Sequence, residues 1–431
     1  MNKHRLLTFF FLLAILCPGY GKKTINKELT EKIASNVYFP VVKAKALGVM
    51  KTGFNAGDGY REVWIRDYNT FIELAAQVFP KEELKENLLV FCRMQGDDGN
   101  IIDGFTPIEK KDAPYEFSYS KLEKRYAAHK NTVETDQESS LVQAVYKYIQ
   151  LTGDRSILAE KVGEKTVAER LEWAMDFLMK NRFNQQYGLL TGATTADWGD
   201  VQPEHGWGVL LDKNTHQAID IYDNAMFVIA LNNLTAMIPP AKNAWNPIRK
   251  GIAKNCRKHL WDKANQKFIP HIYLENGSPF PADFNENNIY YFGGTTIAIE
   301  AGLLSKKEIS VSLHEMIKRV KQAGAASIGL TLYPPYPKGY FANKIMNLEY
   351  SYQNGGDWTW FGGRLIQQLI KYGFEAEAYE QIQPMVKRVI DNNGFFEWYS
   401  VDNKPRGSGT FRGEAGVLYS AIALFETLQS K

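Results

Sequence analysis

The links between helical segments alternate between short and long, and this alternation constrains the chain more than any single motif. Apolar residues recurring with a helical period mark twelve segments, near 24–36, 67–79, 81–95, 134–151, 165–182, 221–238, 240–260, 290–303, 306–322, 355–371, 374–391 and 413–428. Pro80, Pro239 with Pro240, Leu304 with Ser305, and Tyr372 with Gly373 mark links of only a few residues. The links before every second helix are far longer: 37–66, 96–133, 183–220, 261–289, 323–354 and 392–412. Short links make antiparallel neighbours, so the long ones all emerge at one end of the stack.

Segments that follow long links, such as "YDNAMFVIALNNLTAM", "YYFGGTTIAIEAGLL" and "FRGEAGVLYSAIALFETL", are apolar or small nearly all round. Their partners, such as "EISVSLHEMIKRVKQAG" and "EAEAYEQIQPMVKRVIDN", are amphipathic. The first kind is buried and the second faces water on one side. The expected fold is therefore all-α, an (α/α)6 toroid of six inner and six outer helices, with segment 24–36 as outer partner of the last helix. Loops of this length in a compact domain carry function, which places the site in the funnel they form.

Residues 1–21, "MNKHRLLTFFFLLAILCPGYG", have a basic start, a short apolar run and small residues, the layout of a cleaved secretory signal. The run is too short for a permanent membrane helix; a lipid anchor on Cys17 is the alternative reading. An exported protein, periplasmic or extracellular, is expected. Residues 22–431 show no linker, low-complexity tract or compositional shift, and are expected to form one domain. The formal net charge of +3 falls close to neutral without Lys3 and Arg5, and no basic stripe remains. Nucleic acid and anionic membrane are excluded as main partners. Cys92 and Cys256 lie in amphipathic patterns and read as buried free thiols. No His, Cys or carboxylate spacing suits a metal. A monomer without metal or organic cofactor is expected.

The long loops are rich in Trp, Tyr, Asp, Glu, Asn and Gly: "YREVWIRDYN", "AHKNTVETDQESS", "TTADWGDVQPEHGWG", "IDIYDNA", "LEYSYQNGGDWTWFGG" and "GFFEWYSVDNKPRGSGTFRGEAG". Aromatic faces stack on sugar rings, while carboxylates, amides and Arg bind hydroxyls, so the mixture suits a carbohydrate site. The competing reading is loop-on-loop packing. Glycoside hydrolysis needs two carboxyl groups astride the scissile bond. Candidates are Asp67, Asp136, Glu138, Asp197, Asp200, Glu204, Asp223, Asp357, Glu397 and Glu414, and spacing alone does not choose between them.

Three stretches, in order, resemble the six-hairpin glycosidases, which include glucoamylases, trehalases and processing α-glucosidases. "WIRD", Trp64 to Asp67, is similar to a glucoamylase segment whose Arg and Asp hold the non-reducing sugar. "ADWGD", containing Asp197, Trp198 and Asp200, occupies the place where the group keeps its general acid. "FEWY", Phe396 to Tyr399, followed by a Gly-rich turn, resembles the segment that supplies the catalytic base. The resemblance implies Glu397 as base, Asp200 or Asp197 as acid, and Arg66 with Asp67 as sugar clamp. It also implies an inverting, exo-acting hydrolase, with an α-glucoside or α-mannoside favoured.

Further expected substrate contacts are Trp64, Asp136, Glu138, Trp198, Glu204, His205, Asp357, Trp358, Trp360, Trp398 and Glu414. Several have structural alternatives. Asp67 suits a helix cap, Thr135 with Glu138 a capping box, and Glu414 the start of the last helix, where the dipole favours a carboxylate. The rival functions are a polysaccharide lyase, a phosphorylase, or a sugar-binding protein without catalysis on the same toroid.

Overall fold

The computed structural model describes residues 27–111, 116–206 and 210–429. The expected leader, 1–21, lies outside them. Among the described residues there are thirteen α-helices: α1 Lys27–Ala34, α2 Tyr38–Met50, α3 Ile65–Ala75, α4 Lys81–Arg93, α5 Gln137–Thr152, α6 Val167–Asn181, α7 Ile221–Met237, α8 Lys242–Asn255, α9 Phe292–Glu300, α10 Lys306–Ala323, α11 Thr359–Lys371, α12 Glu375–Asp391 and α13 Arg412–Gln429. Helices α3, α5, α7, α9, α11 and α13 pack each on the next, and α13 returns to α3, closing a ring. Outside it, α4 and α6 lie on α5, α8 on α7, α10 on α9, α12 on α11, and α2 on α13. This is the expected (α/α)6 toroid.

The burial pattern follows the apolar pattern. In α7, Ile221 to Leu231 are all buried, as are Phe292 to Ile299 in α9, whereas α10 buries only the stripe Ile309, Ser312, Leu313, Met316 and Val320. Ser305 and Glu308 form a reciprocal capping box that starts α10 right after its short link.

One helix departs from expectation. Residues 38–50 were assigned to a long link, yet they form α2, which is the outer partner of α13 and also touches α12. The outer role given to 24–36 therefore belongs to α2, with α1 an additional short helix against α13. Pro40 stands in the first turn of α2, where a missing N–H costs nothing. Phe39 stacks on Phe425 with ring centroids 5.6 Å apart and meets Tyr379 edge-on, tying α2 to α13 and α12.

The long links all lead into inner-helix N-termini, and short strands stiffen them. Val63–Trp64, Gly104–Pro107, Glu123–His129 and Ser118–Ser120 form an antiparallel sheet, with Val63 opposite Phe105 and Phe105 opposite Ala128. Trp398–Tyr399 pairs with Pro405–Arg406 in the last link. Ala196, Val201, Phe280, Ile289, Tyr291, Leu332, Tyr336, Phe341 and Met346 form a second apolar cluster made of loop residues. It anchors the segment that carries Asp197 and Asp200. Cys92 and Cys256 are buried and unpaired, as expected.

Candidate active site

Trp64 ends a strand and precedes the first turn of α3, which buries both Arg66 and Asp67. Arg66 Nε donates to Asp136 Oδ2 at 2.8 Å, and its other arm meets Glu134. Tyr222 donates to the same Asp136 oxygen at 2.7 Å. Arg66 thereby ties α3 to the entry of α5, because a buried guanidinium needs carboxylate partners. Asp67 is not one of them. No side chain caps α3, so Asp67 is no cap either, and its Oδ1 is buried without a partner. Burial pushes the Asp67 carboxyl up to about 8, against the pull of Arg66 and with help from Glu397 and Asp103.

The two aspartates of "ADWGD" separate clearly. Asp197 has a φ of 58° and accepts the N–H of Gly293 at 2.6 Å and of Gly294 at 2.7 Å, at the start of α9. Both its oxygens are thus occupied at a helix N-terminus, yet burial pushes the Asp197 carboxyl well above its ordinary value against the pull of the two amides. A Cβ on Gly293 would lie 2.1 Å from Trp198 Cδ1 and 3.0 Å from Asp197 Oδ2, so only glycine lets α9 approach this closely. Asp200, three residues later, is half-buried and its Oδ1 has no hydrogen-bond partner. It lies within electrostatic range of Tyr60, Arg66, Asp103, Tyr352 and Glu397.

Glu397 sits in the last link, where its N–H bonds Ser408 O at 2.9 Å and its carboxylate accepts the Ser408 N–H at 3.3 Å. The Tyr60 phenol stands beside the same carboxylate. Burial raises the Glu397 carboxyl above the usual range, Tyr60 and the Ser408 N–H oppose this, and Asp200 adds to it. Asp103 joins the group from the link before α5, its carboxyl pushed up to about 7 by burial, with Asp136 and Asp200 adding and Arg66 opposing. Asp67, Asp103, Asp200 and Glu397 are thus linked through electrostatic range, Asp67 with Asp103 and Glu397, and Asp200 with Asp103 and Glu397, with the phenols of Tyr60 and Tyr352 within the same range.

Other expected contacts turn out to hold the protein together. Glu138 accepts from Ile101 N and Lys130 Nζ, both at 2.8 Å. Asp223 accepts the Thr135 N–H at 3.1 Å. Asp357 accepts from Ser327 N at 3.0 Å, Ser327 Oγ at 2.6 Å and Arg388 at 3.0 Å. Glu414 is fully buried beside Arg388 and Thr359, and burial pushes it up to about 8. Glu204 pairs with His216, and His205 with Asp212 at 3.2 Å, within their own loop.

Trp198, Trp358 and Trp360 are buried against each other and Phe361, with Trp198 stacked on Phe361 at 4.4 Å. Trp360 also donates to Thr70 at 2.8 Å. These rings fill the space between inner-helix starts and present no open face to a sugar. Trp398 remains half-buried beside Tyr352, and Trp64 half-buried against His129.

Sequence reasoning missed Tyr60, Asp103, Glu134 and Tyr352. Tyr60 opens the quoted "YREVWIRDYN", and Tyr352 lies in "LEYSYQNGGDWTWFGG", so their loops carried a signal although the residues did not stand out. Among the described residues, no group of three His, Cys, Asp or Glu side chains is arranged to hold a metal ion.

Solved structures of similar shape include glycosidases. The mannosylglycerate hydrolase of family GH63 from Thermus thermophilus, in complex with glucose, is 16% identical, with a TM-score of 0.62 over 90% of this chain and 99% of that one. The Klebsiella oxytoca rhamnosidase with rhamnose bound is 12% identical, with a TM-score of 0.57 over 89% of this chain and 63% of that one. The GH78 family rhamnosidase of a Bacillus species is 14% identical, with a TM-score of 0.56 over 89% of this chain and 34% of that one. At these identities the likeness is one of fold. No curated protein gives a significant sequence match. The Glycosyl hydrolase 94 superfamily catalytic domain matches residues 33–401, most of the chain. This chain belongs to that superfamily, and it is a glycoside hydrolase built on an (α/α)6 toroid.

Proposed function

We propose that the protein is an exported, inverting glycosidase in which Asp200 is the general acid and Glu397 the general base. What supports this reading most is that these two carboxyls, from the third and last long links, lie within electrostatic range of each other at the loop end. In the reaction, Asp200 gives its proton to the leaving glycosidic oxygen as the bond to the anomeric carbon breaks. Glu397 takes a proton from a water, whose oxygen bonds that carbon from the opposite face. The raised affinity of Glu397 for a proton makes it a stronger base than a free glutamate while it stays ionised. Asp197 is set aside as the acid because both its oxygens already hold α9.

The cations at the loop end support a neutral-sugar hydrolase over the lyase and phosphorylase readings. Arg66 is held by Glu134 and Asp136, Lys130 by Ile101 O, Gln137 and Glu138, and Arg412 by Asn55 and Thr52. A uronate or phosphate group would meet a surplus of carboxylates instead. The Thermus relative is a mannosylglycerate hydrolase solved with glucose, which supports a hexoside, with an α-glucoside or α-mannoside first in line. A funnel of long loops favours exo-action on a chain end by a monomer, and the reaction needs no metal or organic cofactor. Residues 22–431 are proposed as one catalytic domain, delivered by the leader to the periplasm or the medium.

The test is turnover of aryl hexosides and oligosaccharides without phosphate. Wild type is expected to hydrolyse at least one, and Asp200→Asn and Glu397→Gln to lose about 10²- to 10⁴-fold in kcat. Retained turnover in either variant, or turnover that depends on phosphate, overturns the assignment.

A further inference from the structure

Glu286 is an acid that the catalytic reading does not use. It stands on the fourth long link, against the second apolar cluster, with 12% of its side chain exposed. A carboxylate taken out of water is costly unless donors surround it. Glu286 has three: Tyr336 donates to Oε1 at 2.6 Å, His271 Nδ1 donates to the same oxygen at 3.0 Å, and Tyr273 donates to Oε2 at 2.8 Å. Burial pushes the carboxyl up, but His271 and the two phenols outweigh it and hold Glu286 below its ordinary value, so it stays ionised. Apolar side chains hold such a cluster together as well or better, so cohesion alone does not account for a buried acid here.

Its donors lead to Asp200. Tyr336 and Tyr291 pack in one cluster with Ala196 and Val201, and Val201 directly follows Asp200. The Tyr291 hydroxyl lies against that of Tyr336 on one side and 3.1 Å from Thr195 O on the other, and its single proton is shared between them. Thr195 Oγ1 in turn donates to Asp197 O at 2.8 Å, and Gly199 N bonds Ala196 O at 3.1 Å, closing the turn ahead of Asp200. Tyr273 reaches the same segment through a sheet: it stands opposite Ala218, and Ala218 opposite Gly192, a few residues before Thr195. One carboxylate thus orients phenols of the fourth and fifth links around the third-link turn that carries Asp200.

We propose that Glu286 is a positioning residue for the reaction: by orienting Tyr336, and through it Tyr291, it sets the wall on which the Ala196–Val201 turn rests and so aims the Asp200 carboxyl at the leaving oxygen. Glu286 touches no substrate and transfers no proton. The proton given to the leaving oxygen is that of Asp200, as above. This inference rests on Asp200 being the general acid.

The test compares phenyl and dinitrophenyl glycosides of the hexose whose aryl glycosides wild type hydrolyses, in Tyr336→Phe, Glu286→Gln and Asp200→Asn. Dinitrophenolate leaves without a proton, whereas phenol needs one, so a misplaced acid shows on the phenyl substrate. Tyr336→Phe keeps its ring in the cluster and loses only the bridging hydroxyl, while Glu286→Gln offers a single acceptor oxygen to three donors. Both are expected to lose about tenfold in kcat on the phenyl glycoside and less than about threefold on the dinitrophenyl one, with KM changed less than about threefold. Asp200→Asn is expected to show the same contrast at larger size. Equal losses on the two substrates in Tyr336→Phe and Glu286→Gln, with a lower Tm, make the network structural and refute the proposal, and unchanged turnover on both refutes it too. An Asp200→Asn that loses equally on both substrates, or loses nothing, overturns the acid assignment and this inference with it.

Discussion

Glu414 and Glu397 stand close together in sequence and differ in what surrounds them. Glu397 lies on a glycine turn facing Asp200, whereas Glu414 is sealed inside the ring beside Arg388 and Thr359. Its carboxyl, pushed up to about 8 by burial from an ordinary 4.5, binds a proton more tightly in the folded than in the unfolded chain. The sign follows from linkage: this contribution to stability is full below about 4.5, declines as pH rises toward about 8, and is constant beyond. Glu414→Gln, which stays neutral, should therefore gain in Tm relative to wild type as pH goes from 5 to about 8, while keeping most of its turnover. Thermal melts across that range check it; a relative Tm that does not change with pH contradicts the burial account. At this scale the sequence was legible for the setting of Glu397, an acid between rings ahead of a Gly-rich turn in the last long link, while its role came from the resemblance. It was not for Arg66, whose partners Glu134 and Asp136 lie about seventy residues away and come close only through the packing of α3 on α5.

Among elements, the start of α9 explains why "ADWGD" needs two aspartates. Asp197 fastens the loop to the helix through the amides of Gly293 and Gly294, and this anchorage holds Asp200 three residues on at the funnel. Asp197→Asn can accept only one of the two N–H bonds well and should cost about 1–3 kcal/mol of stability, since a buried donor is left unpaired. Its effect on kcat should be well below that of Asp200→Asn. Chemical denaturation and turnover of the two variants side by side check this, and a larger kcat loss in Asp197→Asn would exchange their roles. The helices themselves were readable from period and from the breaks at Pro80, Pro239 with Pro240, and Gly373. α2 was not, because its stretch falls inside the first long link and only its packing on α13 and α12 shows it as a helix of the outer ring. The buried Trp198, Trp358 and Trp360 were misread for a related reason: sequence shows a ring near a loop, and only packing shows which way it faces.

For the whole molecule, alternating link lengths foretold the ring, because connectivity alone sends every long loop to one end. The ring closes through α13 against α3, and α2 seals the seam from outside. In the proposed reading this closure also carries the chemistry: it brings the first link, with Tyr60, and the start of α3, with Asp67, near the last link, with Glu397, while Asp200 comes from the third. The central claim is that Asp200 and Glu397 act from opposite sides of a glycosidic bond, which a crystal structure of Glu397→Gln with a bound oligosaccharide tests most directly. The account predicts the side chains of residues 200 and 397 on opposite sides of the glycosidic oxygen, roughly 6.5–9.5 Å apart, with room for a water at residue 397. A separation of about 5 Å, which signals a retaining mechanism, or a bond flanked by Asp197 or Glu414 instead, would contradict it.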